Sequence, residues 1–141
     1  MTILVIEDSK FLQLVIERAL IRAGYHVLRT SDGEEGLRVA GDKVPDLILL
    51  DMMLPILGGV NVLRALKNNP LTAKIPVIVL SGLSQSNEAK LLAEGAAAYL
   101  EKSTIGLDTG SDALTKAVER IQNGTQSLHG MHRTGPTLSQ R

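Results

Sequence analysis

The sequence contains no cysteine and no tryptophan, and it is electrically balanced, with 15 Lys and Arg residues against 15 Asp and Glu residues. The absence of cysteine excludes disulfide scaffolds, thiolate metal sites and thiol nucleophiles. The absence of net charge removes the basic surface that proteins use to bind nucleic acids and anionic membranes. We therefore predict no direct binding to nucleic acid and no binding to membranes.

Long hydrophobic runs are also missing. The apolar segments are short and interrupted, and the first eight residues lack the basic start and long apolar stretch of a signal peptide. We therefore expect a cytoplasmic location. The composition, 44% hydrophobic and 21% charged, is that of a globular protein. A chain of 141 residues is long enough for one domain with its own hydrophobic core.

Five short apolar runs alternate with five amphipathic segments along the chain. The predicted strands are Thr2–Ile6, Tyr25–Arg29, Asp46–Leu50, Val77–Leu80 and Ala98–Glu101. The predicted helices run from Ser9 to Ala23, Ser31 to Gly41, Val60 to Lys67, Gln85 to Glu94 and Asp112 to Gln122. Serine is the expected N-cap of the first two helices, and in the second it forms a capping box with Glu34.

This alternation predicts an α/β fold with one doubly wound (βα)5 domain, because each parallel crossover needs a helix and the helices then cover both faces of the sheet. The last segment, residues 123–141, is rich in Gly, Ser, Thr and His and has no apolar periodicity. We therefore predict a domain at residues 1–122 and a C-terminal tail or linker at residues 123–141.

Candidate site residues lie at the ends of the first, third, fourth and fifth predicted strands. Glu7 and Asp8 follow the first strand, Asp51 the third, Ser81 the fourth and Lys102 the fifth. Any one of them is ordinary, since strands end in polar loops. In an open doubly wound sheet, however, the carboxyl ends of the strands form the ligand-binding edge. The five residues together predict a site at that edge.

The chemistry of this site follows from its charges. Carboxylates packed together repel one another unless a cation lies between them, and carboxylate oxygens with carbonyls and water are ligands suited to Mg²⁺. A carboxylate can also attack phosphorus to form an aspartyl phosphate. The transferred phosphoryl group then needs positioning and neutralisation of its charge, which a metal ion and a lysine supply.

Four ordered motifs resemble the receiver domain of two-component response regulators over about residues 2–122. These motifs are Ile6-Glu7-Asp8-Ser9, Leu50 to Pro55 with Gly59, Leu80-Ser81-Gly82, and Gly95 to Lys102. The resemblance implies a flavodoxin-like parallel sheet with the strand order 2-1-3-4-5. It also implies a response regulator in a phosphorelay that transfers a phosphoryl group from a phosphohistidine to Asp51.

The resemblance further implies a role for each residue of the site. It assigns phosphoryl transfer to Asp51, Lys102 and Ser81, and a conformational switch to Ser81 and Tyr99. The Mg²⁺ ligands, with Mn²⁺ as an alternative ion, would be Glu7 through water, Asp8, Asp51 and the Met53 backbone carbonyl. The implied partners are a histidine kinase or phosphotransfer protein and an unidentified downstream protein. The domain would catalyse only its own phosphorylation and slow dephosphorylation, so it is not a classical turnover enzyme.

The sequence departs from the family pattern after the lysine, where Ser103 replaces the usual proline. The following loop, Ser103 to Gly110, also looks longer than usual. A phosphorylation-independent pseudo-receiver is the alternative interpretation, and the retained acidic residues, serine and lysine count against it. Leu14 and Ile21 lie one heptad apart and off the apolar stripe of the first helix. They indicate a homodimer surface as a further hypothesis.

Overall fold

The structure is a computed structural model that describes residues 1–82, 88–105 and 111–133. This part of the chain holds five strands and five α-helices. The strands are β1 (Thr2–Ile6), β2 (His26–Thr30), β3 (Leu47–Asp51), β4 (Val77–Ser81) and β5 (Ala98–Glu101). The helices are α1 (Lys10–Arg22), α2 (Gly33–Lys43), α3 (Gly59–Asn68), α4 (Glu88–Ala93) and α5 (Ser111–Arg133), and a 3-10 turn at Lys102–Thr104 follows β5.

The strands form one parallel sheet in the order β2-β1-β3-β4-β5, which confirms the predicted topology. Strand β1 pairs with β2 on one side and with β3 on the other, and Ile6 is level with both Thr30 and Leu50. The chain therefore reverses its winding direction at β1. The carboxyl ends of β1 and β3 leave the sheet side by side, which is the place where open α/β sheets bind their ligands.

The core has two layers, one on each face of the sheet, because alternate residues of each strand point to opposite faces. One layer contains Leu4, Ile6, Ile48, Leu50, Val77 and Val79 with side chains of α2, α3 and α4. The other contains Ile3, Val5, Leu47, Leu49, Ile78 and Leu80 with side chains of α1 and α5. Strand β3 is buried along its whole length, so Asp51 lies at the end of an apolar strand and is itself buried.

Several element boundaries differ from the sequence prediction, and the start of α2 shows why. Ser9 is the N-cap of α1, as predicted, and its hydroxyl accepts a hydrogen bond from the backbone N–H of Leu12 at 3.3 Å. The predicted cap of α2 at Ser31 is wrong, since Asp32 caps that helix by accepting a 2.8 Å bond from the N–H of Glu35. Strand β2 continues through Thr30 because that residue still pairs with the end of β1, so helix α2 begins later than expected.

The last helix runs on to Arg133, beyond the end predicted at Gln122. The prediction stopped early because the following residues include glycines and hydroxyl side chains, which have low helix propensity. The domain division at residue 122 remains a prediction. Residue 85, the predicted start of α4, residues 106–110 of the loop and residues 134–141 of the tail lie outside the described residues. Within the described residues, we find no helix with the length and hydropathy of a membrane-spanning segment.

Gly59 lies where the start of α3 crosses the end of β3 at very short range. A Cβ atom on this glycine would lie 2.6 Å from both the Asp51 carbonyl oxygen and the Met52 Cα atom, and these backbone atoms cannot move independently. We expect Gly59→Ala to lower the free energy of unfolding by about 1–3 kcal/mol, as overpacking does in other cores. Urea denaturation will measure the change.

The neighbouring glycine provides a matched control for this prediction. A Cβ atom on Gly58 would have no other atom within 4 Å, so Gly58→Ala removes the same conformational freedom without a clash. We expect its free energy of unfolding to stay within about 1 kcal/mol of the wild-type value. Equal stabilities for the two variants would contradict the proposed close contact between α3 and β3.

Candidate functional site

The carboxyl ends of β1 and β3 bring three carboxylates together. Glu7 and Asp8 follow β1, and Asp51 is the last residue of β3. Each contributes one carboxylate oxygen, and the three oxygens lie within 4.8 Å of one another. Glu7 and Asp51 are fully buried, whereas Asp8 is exposed. The predicted convergence of these side chains is therefore present, with two buried carboxylates and one at the rim.

Lys102 lies directly beside the buried carboxylates. It follows β5, and its Nζ is 2.9 Å from Asp51 Oδ1 and 3.3 Å from Glu7 Oε1. Although the family pattern has proline next, Ser103 here belongs to a 3-10 turn. The Thr104 hydroxyl closes this turn with a 2.7 Å hydrogen bond to the carbonyl of Glu101. The turn is therefore stabilised by a hydrogen bond within the same segment of chain.

Backbone N–H groups hold the two buried carboxylates from the loops that follow them. Asp51 Oδ1 accepts a 3.0 Å bond from the Met53 N–H, and Glu7 Oε2 accepts a 3.0 Å bond from the Ser9 N–H. Among the described residues, the other two oxygens, Glu7 Oε1 and Asp51 Oδ2, are buried without a hydrogen bond. Glu7 Oε1 still has the ion pair with Lys102 at 3.3 Å, so Asp51 Oδ2 is the less compensated of the two, and a buried carboxylate oxygen without a donor is costly. An all-oxygen cluster of this kind suits a hard divalent cation.

Burial and neighbouring charge shift the protonation of this cluster. Burial is the largest effect at Glu7, and together with the negative charge of Asp51 it raises the Glu7 pKa to about 7, against the opposing effects of the Ser9 N–H and Lys102. Burial alone would lower the Lys102 pKa. The hydrogen bond to Asp51 and the charges of both carboxylates outweigh it, so the Lys102 pKa is raised. Without a metal, the cluster therefore retains a proton near neutral pH.

This shift predicts how the metal-free protein responds to pH. The unfolded chain releases the Glu7 proton near pH 4.5, whereas the folded protein holds it to about pH 7. The folded state binds more protons between these values, so stability falls as pH rises through the interval. We expect a loss on the order of 1–3 kcal/mol, measured by urea denaturation in EDTA.

The matching variants isolate this effect. Glu7→Gln should remove the pH-dependent loss, because the amide does not titrate. Glu35 is an exposed acid on α2 that is not part of the cluster, so Glu35→Gln should leave the loss unchanged. A wild-type stability that rises with pH over this interval would contradict the assignment to Glu7.

The predicted switch residues share the opposite face of the sheet from the acids. Ser81 ends β4 on the side of Val77 and Val79, and Tyr99 is level with Val79 on the adjacent strand β5. Tyr99 is half-buried against the core layer that contains α3 and α4. Ser81 is buried at the edge where the acids meet. The two side chains are therefore on one face and on neighbouring strands, which is a necessary condition for the predicted coupling.

Three supporting groups do not follow from the sequence: the Ser9 N–H, the Gln13 amide and the Met53 N–H. The Ser9 N–H binds Glu7 although Ser9 was identified only as a helix cap. Gln13 is buried one turn into α1, where its amide contacts the end of β1. A polar residue three positions before the buried Ile16 was the only signal for it. Met53 is predicted to act through its carbonyl; its N–H donates to Asp51 Oδ1, and its side chain is exposed. The role of its carbonyl stays a prediction.

Comparison with known protein families extends these observations. A family model described as response regulator receiver domain matches residues 3–119. One curated relative is the phosphate regulon transcriptional regulatory protein PhoB of Pseudomonas aeruginosa, 38% identical over 102 residues. The aligned region is 72% of this chain but 44% of PhoB. The chain thus spans less than half the length of that relative.

Two solved structures share the fold and hold divalent ions. The receiver domain of the sensor histidine kinase PA1611 from Pseudomonas aeruginosa PAO1, with a magnesium ion coordinated in its active site cleft, is 29% identical with a TM-score of 0.74. The match covers 84% of this chain and 94% of that one. The Mn²⁺-bound response regulator Rcp1 is 27% identical with a TM-score of 0.70, covering 79% of this chain and 87% of that one.

Proposed function

The chain belongs to the response regulator receiver family, and on this premise we propose that Asp51 accepts a phosphoryl group from a phosphohistidine. The observation that carries the proposal is the arrangement of charges around Asp51. Three carboxylate oxygens lie within 4.8 Å of one another, and the Lys102 ammonium is 2.9 Å from Asp51. An acidic cluster with a lysine on one side suits the binding of a phosphoryl group together with a divalent cation.

Glu7, Asp8 and Asp51 would hold a Mg²⁺ ion, with Mn²⁺ as an alternative and the Met53 carbonyl as a further ligand. Two buried oxygens support this ligand set: Asp51 Oδ2, which has no hydrogen bond among the described residues, and Glu7 Oε1, which pairs with the Lys102 ammonium at 3.3 Å. When bound, the ion supplies positive charge that offsets the negative oxygens of the transferring group. The raised pKa of Glu7 also means that a cation has to displace its proton at neutral pH.

In the proposed reaction, Asp51 is the nucleophile. Its Oδ1 already accepts bonds from Lys102 and from the Met53 N–H, which fixes the orientation of the carboxylate. Its Oδ2, which has no hydrogen bond among the described residues, forms the new bond to phosphorus. The phosphorus–nitrogen bond of the donor histidine breaks, and the imidazole leaves with the bonding electron pair. Lys102 offsets the charge of the phosphoryl oxygens.

A small-molecule donor tests this function without knowledge of the kinase. Incubation with acetyl phosphate and Mg²⁺ should add the mass of one phosphoryl group, seen by intact mass spectrometry. EDTA or Asp51→Asn should abolish the addition. If the wild-type chain gains no mass under conditions in which Mg²⁺ binds, the chain is a phosphorylation-independent interaction domain, which is the alternative function.

We further propose that phosphorylation acts through Ser81 and Tyr99. The Ser81 hydroxyl would move towards a phosphoryl group on Asp51, and the Tyr99 ring would move inward against the vacated space. Their shared face and neighbouring strands support this coupling. The readout would be a changed surface of α4, β5 and α5 that binds a downstream protein. A Tyr99 ring in the same rotamer with and without a phosphoryl mimic would contradict the switch.

The side chain of Met53 leads us to predict a long-lived phosphoryl group on Asp51. Its side chain is exposed beside Asp51, and a thioether cannot orient an attacking water. We expect Met53→Asn to shorten the lifetime of phosphorylated Asp51 about tenfold, a change of ~1.4 kcal/mol in the barrier. Leu71→Asn is the matched control, since Leu71 and Met53 are both 64% exposed. Equal lifetimes in wild type and Met53→Asn would show that residue 53 does not control hydrolysis.

The partners follow from the same proposal. A histidine kinase or phosphotransfer protein would donate the phosphoryl group, and a downstream protein would bind the switched surface. We keep the division into a receiver at residues 1–122 and a tail or linker at residues 123–141 as part of the proposal. The exposed Leu14 and Ile21 leave a homodimer through α1 as an alternative use of that helix.

A further inference from the structure

Gln13 is a buried amide next to the acidic cluster that the proposed reaction does not use. It lies in the first turns of α1 and is 7% exposed, and the other buried residues of this helix are Ile16, Ala19 and Leu20. Burying an amide costs free energy unless its groups are hydrogen-bonded. An apolar side chain would fill the same position without that cost. The bonds made by Gln13 therefore need a specific explanation.

Both hydrogens of the Gln13 amide point to backbone carbonyls at the ends of adjacent strands. Nε2 donates to the carbonyl of Glu7 at 3.1 Å and to the carbonyl of Thr30 at 3.1 Å. The Glu7 N–H also donates to the Thr30 carbonyl at 3.1 Å. These bonds lie one residue beyond the last paired residue of β1, Ile6. Gln13 thus extends the hydrogen bonding between the chains of β1 and β2 beyond the last paired residues.

The Glu7 carbonyl has special importance because it belongs to the peptide that joins Glu7 to Asp8. A peptide unit is planar, so fixing its carbonyl oxygen fixes the direction of the following N–H and Cα atoms. The two side chains on either side of this peptide are the two acids that β1 contributes to the cluster. The Ser9 N–H holds the Glu7 carboxylate, but it does not hold this peptide plane.

We propose that Gln13 is a positioning residue for the cation site, which orients the Glu7–Asp8 peptide so that both carboxylates face Asp51. This inference rests on the proposed binding of a divalent cation by these acids. The same geometry explains why a polar residue lies inside the apolar face of α1. Side chains that orient metal ligands by hydrogen bonds contribute about 10–100-fold to metal affinity in other proteins.

The direct test replaces the amide with an apolar side chain of similar shape. In Gln13→Met, calorimetric titration with MgCl₂ should give a dissociation constant about tenfold higher than in wild type. Ile16→Val is the matched control, because it removes a buried methylene group from the same helix without touching the cluster. It should lower stability in EDTA and leave the Mg²⁺ dissociation constant within about twofold of wild type.

A second measurement on the wild-type protein does not depend on the folding of a variant. The Gln13 side-chain amide protons should exchange slowly with solvent in NMR spectra, and more slowly when MgCl₂ is added, since the ion favours the ordered peptide. Exchange that is unaffected by MgCl₂, or a folded Gln13→Met with wild-type Mg²⁺ affinity, would overturn the inference while leaving the proposed function intact. A wild-type protein that binds no Mg²⁺ would overturn both.

Discussion

Replacing Lys102 with methionine is expected to slow the phosphorylation of Asp51 by acetyl phosphate about a hundredfold or more, the usual effect of removing one donor that faces developing negative charge. Lys102 Nζ is 2.9 Å from Asp51 Oδ1, and the lysine side chain is only 24% exposed. Little water therefore screens the interaction between the Lys102 charge and Asp51. Methionine has similar length without the charge. The initial rate of mass gain at saturating Mg²⁺ measures the effect.

A second observable separates the charge of Lys102 from its packing. Lys102 lowers the pKa of Glu7, so Lys102→Met should raise that pKa further above about 7, as measured by NMR titration of the Glu7 carboxyl carbon. Lys74→Met is the control, since Lys74 is exposed in the loop before β4. It should change neither the rate nor the pKa. An unchanged phosphorylation rate in Lys102→Met would contradict the role of this ammonium group.

The position of the site could be predicted because it depends on two simple regularities. Parallel strands end at a common edge, so polar residues after successive strands must meet there. Side chains also alternate between faces, and Glu7 is in phase with Ile3 and Val5 while Asp51 is in phase with Leu47 and Leu49. The two acids therefore share the face of α1 and α5. Strand ends and side-chain alternation therefore account for the position of both carboxylates.

The supporting hydrogen bonds could not be predicted in the same way. Gln13 contacts the carbonyl of Thr30, 17 residues away along the chain, and this contact exists only because β1 and β2 pair in a particular register. The cap of α2 depends on the same register. Ser31 and Asp32 are both good caps by residue type, and β2 pairing through Thr30 leaves Asp32 as the one that is used. Tertiary pairing decides between alternatives that are equal locally.

The acidic residues proposed to bind the cation also affect the stability of the fold. Two fully buried carboxylates beside one lysine leave an excess of negative charge, and the raised pKa of Glu7 is the sign of that excess. A protein selected only for stability would place apolar residues here, since buried charges without full compensation are destabilising. A divalent cation would remove the excess and stabilise the folded state by mass action. The same carboxylates should therefore lower the stability of the metal-free protein and raise the stability of the metal-bound protein.

Asp8→Asn tests this opposition most directly, because Asp8 is the exposed member of the cluster and its replacement leaves the buried core intact. In EDTA we expect an equal or slightly higher free energy of unfolding, since one negative charge is removed from a negative site. With MgCl₂ we expect the dissociation constant to rise about 10–100-fold. At Mg²⁺ concentrations far above both constants, the stabilisation by the ion should then fall by about 1.4–2.7 kcal/mol.

The control for this prediction is Asp42→Asn, which removes an exposed carboxylate from α2 and changes the net charge by the same amount. It should retain the wild-type Mg²⁺ affinity and the wild-type stabilisation by Mg²⁺. The two variants together separate a local ligand from the general attraction of an acidic surface for cations. If both variants weaken Mg²⁺ binding equally, the effect is the general attraction of an acidic surface and Asp8 is not a ligand. If Asp8→Asn is destabilised in EDTA as much as in MgCl₂, Asp8 contributes to the fold and not to the cation site. A difference in stability between Asp8→Asn and wild type that occurs only in MgCl₂ would require that the Asp8 carboxylate contact the ion.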